Sequence, residues 1–389
     1  MLTATAITIP TSDRGLTRHE LHEPVTFPLH AQPFTSRSVF AAPHVVADTR
    51  AEYTPGISPP VDWDATISFR RHLWSYGIGV AEGMDTSERG PGGLTWPQAR
   101  RLIHEGLTAA KEVEGAIVCG VGTDQITTLM PSLDEVVDAY LEQLDHVESG
   151  GGSAVIRASH ALVAAARSTA DYLTVYGRVL EQARRPVIVH WLGPVFDPSL
   201  HGYWGTSDIP RAMEAVLALA HDKVDKLRGI KFSLLDAELE KTFRARVPPS
   251  VEIFTGDDYG YTELLLGDGK HHSHGLLGVL DPIAPIASQA FAGLDRGDRD
   301  GFTQHMDSTI PFAVKMFEKP ASYYKVGVVF IAWLSGHQDH FRMVTGREGF
   351  RSLQHLTDLF VHADSLGLLP DPDLARHRMR AFLATHGIE

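Results

Sequence analysis

The 389 residues suffice for one large domain with appendages, and 43% hydrophobic with 21% charged residues is ordinary globular usage, which excludes a disordered or fibrous chain. Thirty-five Lys and Arg against 48 Asp and Glu leave a formal charge of −13, which argues against nucleic acid or an anionic membrane surface as partner. A single cysteine, Cys119, excludes an internal disulfide and a multi-cysteine zinc site, and fits a reducing compartment.

Met1 to Pro10 lacks the basic start and long apolar run of a signal peptide. No stretch approaches the roughly 18 consecutive apolar residues of a spanning helix, so a cytoplasmic location is expected. Thr3 to Thr11 is β-prone, Asp13-Arg14-Gly15 signals a turn, and Leu16 to Leu21 reads as a returning strand. Residues 1–40 are therefore expected to form an N-terminal β-hairpin extension.

From residue 41, short apolar runs alternate with segments of helical periodicity, the pattern of parallel strands joined by crossover helices. The runs are Pro43–Asp48, Ile78–Gly83, Gly115–Val121, Ser153–Ser159, Pro186–Leu192, Gly229–Leu234, Val251–Thr255 and Gly275–Leu280. Between them, Leu133, Val136, Val137, Tyr140, Leu141, Leu144 and Val147 mark one helical face, as do Leu173, Tyr176 and Leu180, and Met213, Val216, Ala220, Val224 and Leu227. Thr95 before Pro97 opens another helix. Eight strands, with no Gly-x-Gly-x-x-Gly opening the first helix, predict an α/β chain with a (β/α)8 TIM barrel over 41–310 in place of an open doubly wound sheet. Residues 311–389 read as C-terminal helices packed on the barrel, with Phe330–Leu334 apolar and Phe350–Leu366 amphipathic.

In such a barrel the reacting groups come from strand ends. The polar candidates are Glu82 with Asp85, Thr86 and Ser87, then Thr123-Asp124-Gln125, Arg157, His160, His190, Lys231, Ser233, Asp257, Asp258, and the cluster His271, His272 and His274. Lys231 is the most informative, because it interrupts the apolar run Leu227–Leu235, where burial disfavours an ammonium and leaves an amine able to attack a carbonyl. It could instead pair with a carboxylate such as Asp257. Arg157 could hold an anionic substrate or counter a core carboxylate. Gly120-Val121-Gly122-Thr123 could cradle a phosphate or simply close a turn.

Gly229-Ile230-Lys231, followed by Phe254-Thr255-Gly256-Asp257-Asp258, resembles the sixth and seventh strands of the dihydrodipicolinate synthase and N-acetylneuraminate lyase family. The register extends through Asp62-Trp63-Asp64 ahead of a helix, Ser75-Tyr76-Gly77, the Pro186–His190 strand and Gly275 to Ala284, covering about residues 40 to 335. The resemblance implies a homodimeric or homotetrameric class I aldolase-type lyase without a cofactor, taking a small carbonyl substrate on a Schiff-base lysine, Lys231. The family's proton-relaying tyrosine on the fifth strand aligns with His190, which can also move protons. The family's Gly-Thr-Thr-Gly-Glu loop is represented by Gly83-Met84-Asp85-Thr86-Ser87-Glu88, and its glycine-rich eighth strand by His271-His272-Ser273-His274-Gly275. A keto-sugar-derived compound therefore competes with a 2-oxo acid as substrate.

Expected substrate contacts are Asp85, Thr86, Ser87, Arg157, Ser233, Asp257, Asp258 and His274. Two other readings stay open. His190, Asp257, Asp258 and the 271–274 histidines could hold a divalent metal in a barrel isomerase, aldolase or hydrolase, or the barrel could bind a sugar without turning it over.

Overall fold

The computed structural model describes residues 6–52, 54, 59–84, 88–90 and 92–388. Ala6–Pro10 (β1) and Leu16–Glu20 (β2) pair antiparallel, turning through Arg14 at φ +67°. Ile7 and Ile9 are the buried alternate positions of β1, and they join the same apolar cluster as Leu359, Phe360 and Met379 of the C-terminal helices.

The barrel strands are Val39–Ala41 (β3), Gly79–Glu82 (β4), Ile117–Val121 (β5), Ser153–Ile156 (β6), Val187–Leu192 (β7), Leu227–Ser233 (β8), Glu252–Thr255 (β9) and His274–Leu277 (β10). They run parallel in chain order and close β10 onto β3, with Gly275, Leu276 and Leu277 opposite Val39, Phe40 and Ala41. The first strand thus lies ahead of its expected place at Pro43–Asp48. Pro43 has no N–H to give a ladder, and the apolar residues after it serve another purpose: Val46 bridges to Met343, Ala47 bridges to Val61, and Val45 packs with Leu94, Leu102 and Val344.

Strand periodicity sorts the side chains. Phe40, Ala81, Val118, Val155, Ile188, Phe254 and Leu276 form a cluster inside the barrel, whereas Val189, Trp191, Ile230 and Phe232 face the outer helices. Two residues on from Ile188 and Gly229, the same alternation sends His190 and Lys231 inward at the C-terminal end.

The helix expected after Thr95 runs Trp96–Val113 with Thr95 as its N-cap. Ser132 accepts the Glu135 N–H and Glu135 answers with the Ser132 N–H, a capping box opening Leu133–Ser149, whose buried face includes Val136, Val137, Tyr140, Leu144 and Val147. After the barrel come Arg299–Met316, Tyr324–Leu334, Leu353–Ser365 and Pro372–Ala384. Every residue of Tyr324–Leu334 is buried, as expected of a helix that is apolar all round. Among the described residues no helix is long and apolar enough to cross a membrane.

A buried ion pair fixes the entry to the barrel. Arg70, on the helix Trp63–Ser75, donates from Nε to Glu82 Oε2 at 3.0 Å and from Nη2 to Oε1 at 2.9 Å, and its Nη1 donates to the carbonyls of His44 and Thr66. Both side chains are fully buried. One guanidinium therefore ties together the first helix, β4 and the segment leaving β3. Removing one partner strands a charge in the interior, so Glu82→Gln should lower stability to urea unfolding by about 3–5 kcal/mol. The double change Arg70→Met with Glu82→Leu should recover much of that loss; a single change costing under about 1 kcal/mol would show that the pair is not a structural tie.

Candidate active site

β7 and β8 run in register, with His190 beside Lys231 and Leu192 beside Ser233. Lys231 is half-buried on the wall of a cavity at the barrel mouth, with His190, Ser233, Asp258, Met84 and Tyr324 among the other lining residues. Two glycines make this arrangement possible. A Cβ on Gly256 would sit 2.1 Å from Ser233 Oγ, and one on Gly278 would sit 2.6 Å from the Tyr324 ring. Glycine at 278 lets a side chain from the C-terminal helix lie over the mouth, where Tyr324 stacks on Phe317 with ring centroids 4.4 Å apart.

His190 is buried. Its Nε2 lies 3.0 Å from Ser233 Oγ, and its Nδ1 has no hydrogen-bond partner among the described residues. Burial first, then the charges of Lys231 and Arg157, hold the imidazole pKa well below its ordinary value, so the ring is neutral near pH 7. It can take a proton from one neighbour and give one to another.

Asp258 is the opposite case. Burial pushes its carboxyl up to about 7, while the Val279 N–H donated to Oδ1 at 3.0 Å and the charges of Lys231 and Lys325 pull the other way. It enters the cavity as an acid that exchanges its proton near neutrality. Lys325, also buried, comes from the first turn of Tyr324–Leu334; its Nζ donates to the Ala42 carbonyl and lies 4.0 Å from Asp281 Oδ2. An amine, a neutral imidazole and a titratable carboxyl thus surround one small space.

The cavity measures about 40 Å³. A water occupies roughly 10–15 Å³ of such space, so there is room for a ligand of a few heavy atoms before side chains must move.

The remaining expected site residues divide. Ser233 lines the mouth. Arg157 lines a neighbouring cleft of about 860 Å³ and lies 3.6 Å from Asp124. Asp257 is turned away from the mouth cavity, accepting the N–H groups of Tyr259 and Gly260 at 2.9 Å each, so its carboxylate closes the turn after β9. His274 is misplaced by the sequence reading: it opens β10 instead of ending a strand. Its Nδ1 accepts from Ser38 N at 2.9 Å and its ring lies near Glu252, Arg37 and Arg228, at the opposite end of the barrel, with burial holding it down to about 4. Asp85, Thr86 and Ser87 lie outside the described residues. Among those described, no three His, Cys, Asp or Glu side chains gather as a metal-ligand set. Sequence reasoning missed Tyr324 and Lys325, yet the signal that singled out Lys231, a lysine within an apolar run, is repeated in Tyr324–Leu334.

The Asp258 environment has a measurable consequence. Its folded pKa is raised above the unfolded value near 3.9. Below pH 4 both states are protonated and nothing is lost; between about 4 and 7 only the unfolded chain ionises, so folding stability falls as pH rises and stays low above 7. Asp258→Asn removes this penalty. Its urea-unfolding advantage over the parent should grow from near zero at pH 4 to on the order of 1–4 kcal/mol at pH 8; a pH-independent difference would contradict the assignment.

A family model described as protein of unknown function (DUF993) matches residues 7–388. No curated protein matches the chain. Among solved structures it is similar to YagE, a prophage protein of the dihydrodipicolinic acid synthase family from E. coli K12 in complex with pyruvate, with TM-score 0.63 and 14% identity over 85% of this chain and 99% of that one. The dihydrodipicolinate synthase of Aquifex aeolicus gives 0.60 and 12% over 86% and 99%. The chloride-inhibited enzyme of Acinetobacter baumannii, complexed with pyruvate, gives 0.59 and 15% over 86% and 100%. At such identities the likeness shows a shared barrel fold.

Proposed function

The chain belongs to the DUF993 family, and we propose that it is a Schiff-base-forming lyase of class I aldolase type, acting on a small 2-oxo acid or a keto-sugar-derived carbonyl compound. The observation that supports this most directly is the position of Lys231, half-buried on the wall of the mouth cavity with His190 and Asp258 as fellow lining groups. Once it has given up its proton, the Lys231 amine adds to the substrate carbonyl, and the hydroxyl of the resulting carbinolamine leaves as water after it is protonated. When a carbon–carbon bond breaks, the iminium accepts the Cα–Cβ electron pair as the β-hydroxyl gives up its proton. In a dehydration it accepts the Cα–H pair, and the enamine so formed expels the β-oxygen as water. Hydrolysis of the iminium then frees the lysine.

Two groups suit the proton transfers. Neutral His190 can accept a proton without first losing one, and protonated Asp258 can donate one. The cavity volume favours a C3-sized carbonyl compound over an intact hexose, and pyruvate is what YagE and the Acinetobacter enzyme hold. The reading includes a homodimer or homotetramer, working in the cytoplasm without a cofactor.

Sodium borohydride added with pyruvate, or in parallel with dihydroxyacetone, should raise the intact-protein mass by one reduced ligand, and peptide mapping should place it on Lys231. Lys231→Met should give no adduct. His190→Phe should still be trapped but turn over about 10²–10⁴-fold more slowly. No adduct with either compound, or an adduct that persists in Lys231→Met, would sink the proposal.

A further inference from the structure

Outside the barrel, a second cavity of about 310 Å³ lies between the helix Trp63–Ser75, the end of Tyr324–Leu334, the segment Pro24–Phe27 and residues 367–370. Its volume is at the lower end of the range for small-molecule sites, roughly 300–1,000 Å³. Its walls are largely apolar, with Phe27, Phe69, Tyr76, Ile331 and Leu368 among them, and no Lys or Arg is among the described residues that line it.

Two imidazoles face this space. His72 and His337 lie with ring centroids 4.2 Å apart, and Phe69 contacts both rings, at 5.5 and 5.0 Å. Neither imidazole has a hydrogen-bond partner among the described residues. Burial, the largest cause for each, takes their pKa values down to about 4 and about 3; His72 and His44 lower His337 further, and Asp281 opposes both shifts. Both rings are therefore neutral, and each offers one N–H and one lone pair.

Both residues are half-buried, so water entering the chamber can reach the rings, and a ligand that reproduces those hydrogen bonds while burying apolar surface would displace that water with a net gain. The complement of two neutral imidazoles is a hydroxyl, which donates to one ring and accepts from the other. A carboxylate would meet no Lys or Arg among the described lining residues, and Asp281 on the wall. An ammonium would have only Asp281 as counter-charge among the described lining residues: its Oδ1 lacks a hydrogen-bond partner but is fully buried, while Oδ2 already accepts the His44 backbone N–H at 3.0 Å and lies 4.0 Å from Lys325 Nζ.

We propose that this chamber binds a neutral, largely apolar molecule bearing a hydroxyl group, at a site separate from the barrel mouth. Three probes of one ring size test it by calorimetric titration at pH 7.5: 1-naphthol, 2-naphthoate and 1-naphthylmethylamine. The neutral phenol should bind with Kd on the order of 100 µM or tighter, and at least tenfold more tightly than either ion. In a parallel NMR titration with 1-naphthol the His72 and His337 Cε1–H resonances should shift. Ala332→Phe, which fills the chamber, should abolish binding. Should that variant fold poorly, His72→Leu keeps the walls apolar and should weaken 1-naphthol about tenfold. Lys231→Met should bind it unchanged. Failure of 1-naphthol to bind below 1 mM (about ten times the expected Kd), equal binding to Ala332→Phe and the parent, or preference for either ion would each overturn the proposal.

Discussion

The molecule depends on the closure of β10 onto β3. Three residue pairs, Gly275 to Leu277 against Val39 to Ala41, turn a sheet with two edges into a ring with none. Once the ring is closed and parallel, every strand ends at the same rim, and a period of two decides which side chains enter. Lys231 enters because Gly229 does, and His190 because Ile188 does. The Arg70–Glu82 pair reinforces this from outside, holding the first helix against β4 and gripping the backbone of His44 just after β3.

Inside the rim, the electrostatics are those of a partly dehydrated space with more ionisable groups than it can keep charged. His190 gives up its charge to burial and to the cations nearby, and Asp258 holds its proton toward neutrality. Lys231 and Lys325 both act on Asp258, so the charge of any one group depends on the others. This is the arrangement expected where protons must move without bulk water, and no single side chain sets it.

Much of this was legible in the sequence, because it rests on local periodicity. The barrel, the N-terminal hairpin and the face of Leu133–Ser149 follow from spacing and caps, and Lys231 stood out as a cation in an apolar run. What was illegible depends on contacts between distant segments. Val45 to Ala47 are as strand-like as any true strand, and only the packing of Val45 and Ala47 with Leu94, Leu102 and Val344 and the bridge from Val46 to Met343 show why they lie outside the ladder. His274 looked like a strand-end residue because the end of one strand and the start of the next are close in sequence, although the chain crosses the barrel between them. Asp257 and Asp258 are neighbours of one type, and only the backbone amides of Tyr259 and Gly260 separate a turn-forming carboxylate from the one in the cavity.

The buried helix Tyr324–Leu334 has a temporal consequence. Its first turn supplies Tyr324 to the mouth and Lys325 to the carbonyl of Ala42, so the rim joins residues almost 300 positions apart. A domain folds as a unit while synthesis runs from the N-terminus. Lys231 therefore leaves the ribosome well before Tyr324 and Lys325, and the nascent chain carries that side chain before the segment that covers the mouth has been made.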